Sequence, residues 1–236
     1  MLFYRTIAQR REQVRYKLLF LPAIISLPAQ AVTVDVRQEY FDDQKQNFSR
    51  LLLSHRFDSG IGASLESTIK SGGNNKSKPL NNIVTHSNEY SLSYQGDYKG
   101  LLLEPGVSLE AGDSYSIYKT YVKATYEIND SWWVAGRYRF EYINNSERDN
   151  RDDTVNRADL WVGYNLENWS FTLEGLYKIA NHNDLYNNKR TVSEGNFRTA
   201  YKIGAWVPYV EVGNVPVRQT SDERQTRYRV GVSYTF

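Results

Sequence analysis

The stretch that decides the fold is T-R-Y-R-V-G-V-S-Y-T-F, residues 226–236. Tyr228, Val230, Val232, Tyr234 and Phe236 fall on one face of a strand, with Thr226 beside them. Arg227, Arg229, Gly231, Ser233 and Thr235 fall on the other. Strict period-two alternation between an apolar and a polar side marks a strand lying between two different solvents. A strand of this kind that finishes on an aromatic residue has the form of the closing strand of an outer-membrane β-barrel. In such a barrel the last strand pairs with the first.

Composition agrees with that reading. The 236 residues suit one domain, and the chain has no cysteine, which excludes a disulfide framework and a thiolate metal site. There are 19 Tyr and 5 Trp against 9 Phe. Tyr and Trp have one apolar and one wet end, and they suit the interfacial girdles of a membrane barrel. The alternative for a Tyr-rich β chain is a soluble sandwich. The mean hydropathy of -0.62 does not argue against a barrel, because a barrel strand is apolar on one face only and its loops are polar. No apolar run of about 20 residues follows the N-terminal region, so helical membrane spans are not expected.

Residues 1–31 read as a secretory signal peptide. Arg5, Arg10, Arg11, Arg15 and Lys17 form a basic region, an apolar run covers 18–27, and Ala29-Gln30-Ala31 supplies a small-residue cleavage site after Ala31. This segment holds five basic residues and one acid, Glu12. The formal charge of +2 for the whole chain therefore becomes about -2 for residues 32–236. That balance gives no reason to expect a nucleic-acid partner. No cofactor motif appears.

The rest of the chain reads as a single domain, residues 32–236: an all-β, transmembrane antiparallel barrel with an up-and-down meander of twelve strands. The strands are expected at 32–40, 48–57, 61–70, 89–95, 101–110, 117–126, 132–142, 155–164, 169–179, 192–202, 207–215 and 226–236. The connections are expected to alternate between short turns of about four to six residues and long loops of about ten to fifteen, the arrangement of outer-membrane barrels. The long loops are 71–85, 144–153, 181–190 and 216–224. Pro105 and Pro208 lie inside predicted strands, where the missing N–H predicts bulges.

The face opposite the apolar one lines the lumen. Alternation places Arg37, Arg50, Arg56, Lys119, Lys123, Arg137, Arg139, Arg157, Arg198, Arg227 and Arg229 there, together with Lys70 and Lys178. Asp35, Glu39, Glu66, Glu89, Glu104, Glu110, Glu141, Asp159, Glu174, Glu194 and Glu211 share that face. Arg137 with Arg139, and Arg227 with Arg229, are pairs two residues apart, about 7 Å along one strand. Guanidinium forks grip carboxylates at two points, so an arginine strip in a narrow pore would draw in carboxylated anions. The competing reading is that the arginines pair with the lumenal acids and hold the interior together.

Catalytic chemistry is poorly represented. His182 lies near Asp184 in a loop. His55 shares a face with Leu53 and Phe57, which suits a girdle, and Ser49 is too far along the same strand to form a nucleophile–base pair with it. The third histidine, His86, belongs to no motif. No phosphate-cradling loop or zinc motif appears, and no enzyme is expected.

Several long runs carry a resemblance. Val207-Pro208-Tyr209-Val210-Glu211-Val212-Gly213-Asn214-Val215 and the segment 220–232 are the strongest. Arg50-Leu51-Leu52-Leu53-Ser54-His55-Arg56-Phe57, Glu104-Pro105-Gly106-Val107-Ser108-Leu109-Glu110 and Arg137-Tyr138-Arg139 add to them. In these the chain resembles the oligogalacturonate-specific porins, the KdgM family. The resemblance implies a monomeric twelve-stranded channel in the bacterial outer membrane that passes oligogalacturonates released from pectin. It implies two facing basic tracks, with Arg50, Arg137, Arg139, Arg227 and Arg229 at matching positions. The same family includes a sialic-acid channel, which makes another acidic sugar the alternative solute. A non-transporting barrel, acting as an adhesin or structural protein, is the alternative role. The expected partners are the anionic oligosaccharide, outer-membrane lipid, and the barrel-assembly machinery through the strand ending in Phe236.

Overall fold

The computed structural model describes residues 32–147 and 151–236. The predicted signal peptide lies outside the described residues. The described chain forms strands and no helix: β1 (Val32–Phe41), β2 (Gln46–Arg56), β3 (Ile61–Ser71), β4 (Ile83–Tyr94), β5 (Gly96–Tyr98), β6 (Leu101–Gly112), β7 (Tyr115–Glu127), β8 (Trp132–Asn145), β9 (Asp153–Leu166), β10 (Trp169–Ala180), β11 (Thr191–Tyr201), β12 (Trp206–Pro216) and β13 (Arg224–Thr235). Twelve of these close an antiparallel barrel, and β5 is a short extra strand pairing with β6 beyond the end of β4. The seam forms as its alternation predicts: β13 pairs with β1 from Thr33↔Thr235 to Phe41↔Arg227.

The molecule is apolar outside and polar inside. Adjacent residues on β9 show it: Asp159 is 1% exposed and Leu160 is 68% exposed. Leu65, Leu92, Val107, Val122, Leu173 and Val210 belong to the same exposed outer belt. Near one rim, outward aromatic pairs ring the wall. Trp132 with Tyr164 and Trp169 with Tyr201 have centroids 4.7 Å apart, and Trp206 with Tyr234 4.5 Å. His55 joins this girdle through an edge contact with Phe57 at 4.3 Å. That rim carries the start of β1 and the end of β13, together with the tight turns 57–60, 128–131, 167–168 and 202–205. It is the periplasmic rim by the rule that outer-membrane barrels keep their short turns inside.

The extracellular rim differs from expectation in two ways. Its connections at 42–45 and 113–114 are as tight as periplasmic turns, so the predicted alternation of lengths fails there. Loop 181–190 spans the expected residues, but the other three long loops are shorter than predicted, because the ladders continue into polar sequence: β4 starts at Ile83, and β8 and β9 run 14 residues each. A membrane span needs only about 9–11 residues, so these walls project past the hydrocarbon, where apolar alternation stops while hydrogen bonding does not.

Neither proline forms a bulge. The β4–β6 register is the same before Pro105 (Ser93↔Gly106) and after it (Gly96↔Leu103), with the ladder simply interrupted between. The β11–β12 ladder stops at Ala200↔Tyr209, next to Pro208, and resumes as the bridge Ile203↔Trp206 in the same register. A missing donor removes a rung without inserting a residue. The register shift lies instead between Thr68 and Ile69 opposite β4, which sets His86 out of register. Its ring meets Phe48 edge-on at 5.0 Å.

Candidate functional site: a charged lumen

Strand registers put all of the predicted basic residues on the inner face. Arg37 (β1), Arg50 (β2), Arg227 and Arg229 (β13) come from neighbouring strands. Lys119 and Lys123 (β7), Arg137 and Arg139 (β8) and Arg157 (β9) form a second group, since Lys119 faces Glu141, Lys123 faces Arg137, and Arg139 faces Arg157. In the closed order of strands β1 and β8 are half a circuit apart, so the two groups face each other across the lumen. Arg56 and Arg198 stand apart from both, near the periplasmic end of β2 and on β11.

Most of these cations are paired. Arg50 bridges Asp35 and Glu66, the latter at 3.2 Å. Arg229 bridges Glu39 and Glu211, the latter at 2.6 Å, while Arg227 lies 3.6 Å from Glu194 and Arg37 3.7 Å from Glu39. Across the lumen, Arg137 at 3.0 Å and Arg157 at 2.6 Å share Asp159. Arg139 meets Glu141 at 2.5 Å, and Lys119 lies 2.6 Å from both Glu89 and Glu110. Arg56 meets Glu104 at 3.1 Å. The expected open strip of forks is therefore a mesh in which each acid takes up part of the field. Donors remain within it: the Nε groups of Arg37, Arg50, Arg139 and Arg227 have no hydrogen-bond partner among the described residues.

Two cations are held differently. The guanidinium of Arg198 sits 3.8 Å from the centroid of Tyr209, and Lys123 Nζ lies 5.4 Å over Trp161. Neither has an ion pair among the described residues. A ring face attracts a cation without neutralising it. Both line one cavity of about 400 Å³, with Trp133, Trp161, Glu174 and Asn196.

These inward aromatics depart from the expectation that Tyr and Trp belong to the girdles. The signal was present: Trp133 shares parity with Arg137, and Trp161 with Asp159. Trp133 and Tyr209 lie on glycines of the next strand. A Cβ on Gly163 would fall 1.9 Å from Trp133, and one on Gly231 2.5 Å from Tyr209. Only a residue without a side chain permits such approach.

At the extracellular end, loop 181–190 is tied to loop 217–223. Asn188 N–H donates to the Gln219 carbonyl at 2.9 Å, and Tyr186 O–H donates to that of Asp222. Val155, Ala180, Val192 and Val215, inward by register, are buried on that side. His182 does not pair with Asp184. Its N–H and ring meet Asp153 at 3.0 and 3.3 Å, and Asp153 also accepts the Asn183 N–H at 2.7 Å. This carboxylate caps the loop base. The described residues contain no cluster of three or more potential metal ligands.

A closed barrel with an apolar belt, aromatic girdle and charged lumen is an outer-membrane β-barrel protein. Comparison with known proteins narrows the class. Residues 25–236 match the model of the oligogalacturonate-specific porin protein family, KdgM. The uncharacterized protein YiiY of Salmonella typhimurium (strain LT2) is 50% identical over 218 residues, 92% of this chain and 96% of that protein. The oligogalacturonate-specific porin KdgM of Dickeya dadantii (strain 3937) is 35% identical over 242 residues, 95% of this chain and all 100% of that protein. The solved KdgM porin in complex with disordered oligogalacturonate superposes with a TM-score of 0.64 at 31% identity, covering 86% of this chain and 99% of that one. The chain belongs to the KdgM porin family.

Proposed function

We propose that this porin is a passive, non-catalytic channel for anionic oligosaccharides, with oligogalacturonates as the solute, acting as a monomer. The observation that carries the reading is the pair of opposed basic groups, β1/β2/β13 against β7/β8/β9. The likeness to a porin that binds oligogalacturonate supports it. A uronate chain carries one ionised carboxylate per ring. It can exchange contacts between two arginine tracks while its hydroxyls meet the interleaved acids. The acids keep each site weak, and conduction requires sites that release as readily as they bind. Arg37, Arg50, Arg56, Lys119, Lys123, Arg137, Arg139, Arg157, Arg198, Arg227 and Arg229 are the proposed solute contacts.

The test is uptake into vesicles carrying refolded protein, with di- and trigalacturonate, N-acetylneuraminate and a neutral trisaccharide of similar size. Faster entry of the galacturonates than of the neutral sugar is expected. Equal rates for all would overturn the reading, and preference for N-acetylneuraminate would reassign the solute.

A further inference from the structure

We propose that the periplasmic end of the lumen holds a subsite for a single acidic sugar residue, with Lys123 and Arg198 as its carboxylate anchors and Trp133 as its stacking face. This rests on the channel reading above and locates where that channel discriminates. Three observations carry it.

The first is charge. The cations of the two tracks are largely offset by carboxylates at 2.5–3.7 Å. Lys123 and Arg198 are instead held over aromatic rings. Glu104 stands opposite Lys123 and Glu211 opposite Arg198 in register, but neither closes to an ion pair among the described residues, so the N–H donors of both cations are left for a ligand. Lys70 and Lys178 also lack an ion pair among the described residues, but they lie toward the extracellular ends of β3 and β10.

The second is space. The two cations line one cavity of about 400 Å³, within the ~300–1,000 Å³ range of small-molecule sites. Its lining includes Trp133, Ser170 and Val207, each second in its strand from the periplasmic rim.

The third is complementarity to a sugar rather than to a bare anion. Trp133 packs its indole on Gly163 and lines the cavity. Among the described residues Glu174 takes one hydrogen bond, from Asn196 at 2.8 Å, and keeps acceptor capacity for a hydroxyl. Glu211, also in the lining and opposite Arg198 in register, is bound at 2.6 Å by Arg229. A carboxylate at one end, hydroxyl acceptors at the side and an indole for the C–H face describe a uronic acid or a related sugar acid.

The experiment is single-channel block by monomeric galacturonate, acetate and galactose, on wild type, Lys123→Gln/Arg198→Gln and Lys123→Arg. Heat-modifiable gel migration confirms that each variant is folded. Wild type is expected to be blocked by galacturonate, poorly by acetate and not by galactose. The double variant should need about tenfold more galacturonate, as expected when a charged hydrogen-bond partner is lost, and Lys123→Arg should keep the block. Equal galacturonate block in wild type and the double variant, with trigalacturonate still modulating both, overturns the subsite and leaves the channel reading standing. Acetate blocking as well as galacturonate overturns the sugar specificity. Indifference of wild type to monomer and trimer alike overturns both readings.

Discussion

Single residues set the character of the lumen, and Asp159 is the most consequential. It is almost wholly buried and holds both Arg137 and Arg157. Asp159→Asn leaves two guanidiniums facing each other with no common anion. Removing one partner from a buried ionic cluster costs about 3–5 kcal/mol, and a water-filled lumen lowers that toward the bottom of the range. Urea unfolding in vesicles should show the loss, while reversal potentials shift toward stronger anion selectivity. Unchanged stability and selectivity would mean that the cluster is inert. Gly163→Ala is the second case, because its methyl group would sit inside the Trp133 ring. The indole must then swing into the lumen, and single-channel conductance should fall with little change in apolar burial. Residue parity was legible in the sequence: Arg137, Arg139, Arg227 and Arg229 face inward as alternation requires. Their partners were not, since Arg229 meets Glu39 across the seam and Arg50 meets Glu66 on the next strand. Such contacts depend on register between strands, which a single strand does not reveal.

At the level of the element, the strands were legible wherever one face meets lipid. β1, β3, β10 and β13 were readable nearly to their ends because the outer alternation runs their length. β4 was not: its first residues, Ile83 to Asn88, include a polar run and the register shift at His86, so a regular alternation starts only at Glu89. The projecting ends of β8 and β9 were missed for the same reason. This division between lipid-facing wall and projecting wall is testable on β9 alone. Leu160→Arg places a charge on the lipid belt and should cost about 2–4 kcal/mol of folding stability in vesicles, whereas Asn156→Arg, four residues toward the extracellular rim, should cost about 0–1 kcal/mol. Equal costs at both positions would put the belt elsewhere. The prolines behave alike: Pro105 and Pro208 each interrupt one ladder without shifting its register, because a residue with no N–H removes a rung and inserts none.

The whole molecule is a nearly electroneutral mesh inside a closed wall, and its selectivity therefore comes from arrangement and not from net charge. Paired arginines attract anions only over short range, and about 8–10 Å of screening length at 0.1–0.15 M salt is comparable to the width of such a pore. Anion preference should accordingly decline as salt is raised from 0.1 to 1 M, measured as reversal potential under a fixed gradient. A salt-independent preference would indicate a steric filter. The most direct test of the central claim is single-channel conductance of refolded protein in planar bilayers, with trigalacturonate added, comparing wild type with Arg137→Ala/Arg139→Ala. The trimer is expected to modulate an anion-preferring wild-type current. In the variant, where Glu141 loses its partner and Asp159 keeps only Arg157, that modulation should fade and selectivity should move toward cations. A wild-type current indifferent to the trimer, or a variant indistinguishable from wild type, would contradict it.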